Sequence, residues 1–121
     1  MHFAIFCRLR SDSQAARVAL RLSHLEYIRD HREQILFGGP TLGPEDSPET
    51  MVIVIKADGL SGAEQLIAAE PYTASQAVFE SIEIRPWVQI LPELTAGALA
   101  QQIAGERARI SACEEPKSAP P

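Results

Sequence analysis

Two short stretches of the chain, "HFAIFCR" at residues 2–8 and "MVIVI" at 51–55, are apolar at both parities. In the first, Phe3, Ile5 and Cys7 share one side and Ala4 and Phe6 the other. Successive side chains of a strand alternate between faces, so strands of this kind need cover on both sides of their sheet. That demand limits the possible folds more than any other feature. With 121 residues, 45% of them hydrophobic, the chain can build one domain with a real core and is too short for two.

The remaining elements follow from punctuation and periodicity. From Ser11 or Ser13, either of which suits an N-cap, "QAARVALRLSHLEYIRDHREQ" contains no Gly or Pro and predicts a first helix of roughly two dozen residues. On a helical wheel Ala15, Val18, Leu22 and Leu25 form one stripe, expected to pack on the sheet. "ILFGGP" predicts a short second strand stopped by its glycines, "TLGPEDSPE" a loop, and residues 50–57 a third strand. Ser61 with Glu64 three residues on is a capping-box pattern, which opens a second helix ending at Glu70. "PYTASQAVF" has room for a single helical turn, and "ESIEIRPWVQI" alternates Ile82 and Ile84 against charged neighbours as a last strand closing at Trp87.

This order predicts an α+β, ferredoxin-like βαββαβ fold: a four-stranded antiparallel sheet with both helices on one face. The second face of strands 1 and 3 then lacks cover. The economical cover is the same face of another copy, so a homodimer with its two sheets packed barrel-like is expected. Residues 1–91 form this domain. Residues 92–112 have the composition of a C-terminal helical extension, with Leu99, Ile103 and Ile110 near one face, weakened by Gly97 and Gly105 and suited to packing on the dimer edge or to a contact in larger assemblies. Residues 113–121, beginning "CEEPKSAPP", are polar and proline-rich and are expected to be a disordered tail.

A formal net charge of -5 argues against nucleic acid or an anionic membrane as partner. No apolar run approaches a membrane span and the N-terminus lacks the pattern of a signal peptide, so a cytoplasmic protein is expected. Cys7 and Cys113 have neither a disulfide framework nor metal-ligand spacing and read as free thiols.

Chemistry concentrates on the first helix and at one corner. Arg17, Arg21, His24 and His31 fall within an arc of about 80° on the wheel, away from the Val18 and Leu22 stripe. Such a face is either a solvated basic surface or an anion-receptive wall containing a titratable group; Leu20 and Ile28, flanking His24, suit a pocket better than open water. His24 and His31 are too far apart on one helix to share a metal ion, and no metal or organic cofactor is expected. Glu70 stands directly before Pro71, where the chain must leave the helical region, so it sits at a break and not on a regular helical face.

In order and spacing, "MHFAIFCRLR", "RLSHLEYI", "ILFGGP", "VIVIKA" and "AAEPYTASQAVFESIEIRPW" resemble the YciI-like (YCII-related) family of the dimeric α/β-barrel superfamily, over roughly residues 1–90. The resemblance implies a subunit that dimerises through its sheet, with a cleft holding a histidine and an acid. By motif these fall on His24 and Glu70. The family usually has Asp-Pro where this chain has Glu70-Pro71, and the extra methylene displaces the carboxylate by about an ångström or more on a fixed backbone. Among the activities associated with the family are dehydrohalogenation and lyase-type chemistry on small ring compounds.

These readings combine into an expected cofactor-independent acid/base enzyme of lyase, isomerase or dehydrohalogenase type, acting on a small cyclic or anionic metabolite. Glu70 would orient His24, whose other ring nitrogen would take the substrate proton. Arg21, extended by Arg17, would bind a carboxylate or enolate. Tyr72 is a hydrogen-bond donor, an aromatic lid or a packed structural residue, while Gly38 and Gly39 either let backbone approach the ligand or simply turn out of the second strand, and Gly39 and Pro40 are the substrate-binding candidates there. The alternative is a non-catalytic module that holds a small molecule in the same cleft or a protein on its dimer surface.

Overall fold

The computed structural model describes residues 1–114; the part of the expected tail at 115–121 lies outside the described residues. Four strands, β1 (His2–Leu9), β2 (Ile35–Leu42), β3 (Pro48–Lys56) and β4 (Phe79–Trp87), form one sheet in the order β2-β3-β1-β4, antiparallel throughout. Three helices, α1 (Gln14–Asp30), α2 (Leu60–Ala68) and the short α3 (Pro71–Ser75), complete a ferredoxin-like α+β domain, and α4 (Ala98–Glu114) follows it. The chain divides into two compact units, Met1–Trp87 and Val88 onward.

The paired registers set the two sheet faces apart. Ile5 lies opposite Ile53 on β3 and Ile84 on β4, while Phe3 lies opposite Ile55. Phe3, Ile5, Ile53 and Ile55 belong to the core with Cys7, Ala63, Leu66 and Ile67, and the half-buried Ile84 packs against it. Removing a Leu- or Ile-sized side chain from water contributes about 2 kcal/mol, so the central strands are the main source of stability. The other parity places Ala4, Phe6, Val52 and Val54 on the opposite face, with Phe6 38% and Trp87 37% exposed.

Several expected boundaries move, each for a local reason. α1 ends at Asp30, before residues 31–34, which form a turn in which the Gln34 and Ile35 amides both donate to the His31 carbonyl. Ser13 does occupy its N-cap, but the hydroxyl donates to the Arg10 carbonyl. The stripe expected to meet the sheet does not: Val18 and Leu22 are 71% and 72% exposed. Ala16, Leu20 and Tyr27 pack on the core instead, and His24 is buried between them along the helix.

The expected capping box at Ser61 does not form, because the N-cap of α2 falls two residues earlier, on an extended Gly59, placing Ser61 inside the first turn. Nor do the glycines stop β2. Gly38 and Gly39 pair with Ile53 and Val52, and a Cβ on Gly38 would lie 2.9 Å from the Val52 carbonyl oxygen. β2 runs at the edge of the sheet, where Pro40 costs no central ladder bond.

In the second unit, Gly97 adopts φ +81° and delays the helix start to Ala98. The Leu99 amide donates to the Glu93 carboxylate. Gly105 lies within α4, which continues through Cys113 and Glu114, residues expected to belong to the tail. No helix among the described residues is long and apolar enough to cross a membrane.

Candidate active site

A proline at the first position of a helix fixes φ where no amide hydrogen bond is needed, and an acid just before it can cap the exposed amides. Glu70 uses this arrangement. It is the N-cap of α3, and its carboxylate accepts from the Tyr72 amide at 3.0 Å, the Thr73 amide at 3.1 Å and the Thr73 hydroxyl at 3.4 Å. The oxygen that binds the Tyr72 amide also lies 2.5 Å from Nδ1 of His24. Both side chains are 5% exposed. A buried carboxylate supplied with this many donors is satisfied as an anion, and as an acceptor it places a proton on Nδ1.

His24 is held from a second side. The Tyr72 ring lies parallel to the imidazole, with centroids 3.8 Å apart and planes 3° apart, while the Tyr72 hydroxyl donates to the Arg17 carbonyl at 3.3 Å. Phe79 packs edge-on against the tyrosine at 6.0 Å. Burial is the main cause that pushes the Tyr72 phenol above its ordinary pKa, opposed by Arg21 and Arg17 and reinforced by Glu70. Tyr27 is likewise raised, by burial first and Glu70 second; its hydroxyl donates to the Leu66 carbonyl at 2.6 Å and so ties α1 to α2.

The pair lines a cavity of about 390 Å³ between α1, the α2–α3 corner and strands β2 and β3. Of the residues singled out from sequence, Arg17, Arg21, His24, Glu70, Tyr72, Gly39 and Pro40 all line it. Arg17 donates through Nε to Ser13 Oγ at 3.2 Å, whereas Arg21 has neither ion pair nor side-chain hydrogen bond among the described residues. His31 is not part of this wall: it stacks on Tyr27, with its Nδ1 2.8 Å from the Tyr27 carbonyl oxygen. Among the described residues no three His, Cys, Asp or Glu side chains converge as a metal site would require.

Two features were missed in the sequence. Thr73 holds the far oxygen of Glu70, and Ile35, Met51 and Ile53 form an aliphatic wall. The first was available in the spacing acid-Pro-x-Thr, an N-cap followed by proline at N1. The second required knowing which strand faces look toward α1.

The unit is thus a ferredoxin-like α+β domain with a histidine and an acid paired in the cleft between helices and sheet. The chain belongs to the YCII-related domain family, whose profile matches residues 1–88. Among solved structures it is similar to the 5-chloro-2-hydroxyhydroquinone dehydrochlorinase TftG from Burkholderia phenoliruptrix AC1100, in complex with 2,5-dihydroxybenzoquinone. The TM-score is 0.66 at 23% identity, covering 74% of this chain and 95% of that one. No curated protein matches the chain.

Proposed function

We propose that the protein is an acid/base enzyme of the lyase, isomerase or dehydrohalogenase kind, acting on a small cyclic or anionic metabolite without metal or organic cofactor. The observation that carries this reading is the buried His24–Glu70 pair at the cavity wall. With the Nδ1 proton bonded to Glu70, Nε2 is the basic nitrogen, and it has no hydrogen-bond partner among the described residues. Nε2 would remove a proton from a C–H or O–H of the ring, leaving an oxyanion against Arg21. Where that ring carries a leaving group, the released electron pair expels it as an anion; where it does not, the proton returns at another carbon. The dehydrochlorinase relationship fits the first outcome and family membership fits the general plan.

The same reading pairs two copies through the second sheet face, where Ala4 and Val54 are buried but Phe6, Phe37 and Trp87 are between 37% and 45% exposed. It assigns the exposed Ile103 and Ile110 of α4 to contacts beyond that pair. The test is turnover of hydroxylated and halogenated ring acids by wild type, His24→Ala and Glu70→Gln, each checked for folding and oligomeric state. Loss of turnover in both folded variants supports the dyad. Binding without turnover in the wild type identifies a non-catalytic module instead.

A further inference from the structure

We infer that the ligand of this cavity is a monoanionic amphiphile: one oxyanion at Arg21, and an apolar body larger than a bare ring extending toward the Ile28 and Ile35 end. The polarity of the lining runs along α1. Its cavity-facing side chains pass from guanidinium at 17 and 21, through imidazole at 24, to Leu25 and Ile28, a span of about 16 Å at 1.5 Å per residue. Beyond the end of that helix the wall continues with Ile35, and across it with Met51 and Ile53. A ligand polar at both ends would therefore leave one end without a partner.

One anionic group suits the basic end better than two. Arg17 gives its Nε to Ser13 and keeps only its terminal amino groups, whereas Arg21 has every N–H free among the described residues and so offers the side edge, Nε with Nη, to a single carboxylate. The size of the chamber points the same way: about 390 Å³ falls within the range of sites that enclose drug-sized ligands, at roughly 300–1,000 Å³, and exceeds the needs of one unsubstituted ring. This inference rests on the proposed function only in placing the reacting atom near His24; the chamber's polarity does not depend on catalysis.

The experiment is calorimetric titration of the full-length protein with benzoate, 4-ethylbenzoate, 4-butylbenzoate and 2-naphthoate. 4-Butylbenzamide and 4-butylbenzylammonium serve as uncharged and cationic controls. Each buried methylene should tighten the dissociation constant about fourfold. The benzamide should bind at least about tenfold more weakly than the carboxylate, and the ammonium more weakly still. Arg21→Gln should remove the preference for carboxylate and keep the gain with chain length; Ile28→Gln should do the reverse.

His24→Asn should keep both trends, so a failed acid/base mechanism and a wrong ligand class give different results. Affinity independent of chain length, tighter binding of benzoate than of 4-butylbenzoate, or no saturable binding of any carboxylate would overturn the inference. If Ile28→Gln does not fold, the wild-type chain-length series together with Arg21→Gln decides the question.

Discussion

Replacing Glu70 by glutamine keeps the side chain's length and removes its charge and one acceptor oxygen. In the native site both oxygens receive N–H donors: His24 Nδ1 and the Tyr72 amide on one, the Thr73 amide on the other. A glutamine has one carbonyl for these two positions. If its oxygen faces His24, its NH2 opposes the Thr73 amide, and a buried N–H loses its partner. If the NH2 faces His24, the imidazole must present a lone pair at Nδ1, and its proton moves to Nε2, the nitrogen proposed as base.

Either arrangement leaves one buried amide unpaired, that of Thr73 in the first and that of Tyr72 in the second, at a cost of about 1–3 kcal/mol. For a unit of this size that is a fall in Tm of roughly 5–15 °C. The second inverts the tautomer and should lower turnover by a factor on the order of 10⁴, the scale seen when an orienting carboxylate is lost from a histidine base. Thermal unfolding measures the lost pairing and ring ¹⁵N NMR of His24 the tautomer. A variant with unchanged Tm and the proton still on Nδ1 refutes the argument, because it would mean that the carboxylate supports neither the helix cap nor the imidazole.

Four further outcomes follow from the packing. Cys7 is fully buried, and burial first, then Glu70, pushes its thiol from 9.0 to about 12; an excess of Ellman's reagent near neutral pH should therefore modify one thiol, Cys113, until the protein unfolds. Because the unfolded thiol ionises before the folded one, the stability contributed by Cys7 is complete below pH 9.0 and falls by about 1.4 kcal/mol per unit as pH rises toward 12, which urea titrations at pH 9 and 10 would detect. Gly38→Ala puts a Cβ against the Val52 carbonyl and should destabilise the β2–β3 pair by about 1–3 kcal/mol, measured by the same titrations. Phe6→Glu, on the proposed pairing face, should convert a dimer to monomer in sedimentation; an unchanged mass would place the contact elsewhere.

The element order was legible because strand parity, proline and helix composition are local signals. The convergence of Arg17, Arg21 and His24 was legible for the same reason, as helical spacing alone puts them on one side. Which side faced the sheet was not. α1 carries two semi-apolar stripes, and the one with fewer polar residues, through Val18 and Leu22, is the exposed one. The stripe that packs includes His24, whose polarity is matched only by Glu70, 46 residues away. Such a long-range partner leaves no trace in a wheel. The glycines of β2 misled for a related reason: Gly38 is required by the approach of a neighbouring strand and not by a turn of its own.

At Glu70 a single carboxylate starts a helix and grips the imidazole, so every change at this position is judged twice by independent criteria. Aspartate, an ordinary capping residue, satisfies the helix and shortens the reach to His24; glutamine keeps the reach and spoils the cap. Few side chains pass both tests. Pro71, which forces the backbone into the capping geometry, thereby acts on the histidine at one remove. An adaptive route to a new acid/base balance at His24 would have to travel through the architecture of this corner, with the α2–α3 junction and the ring changing in step.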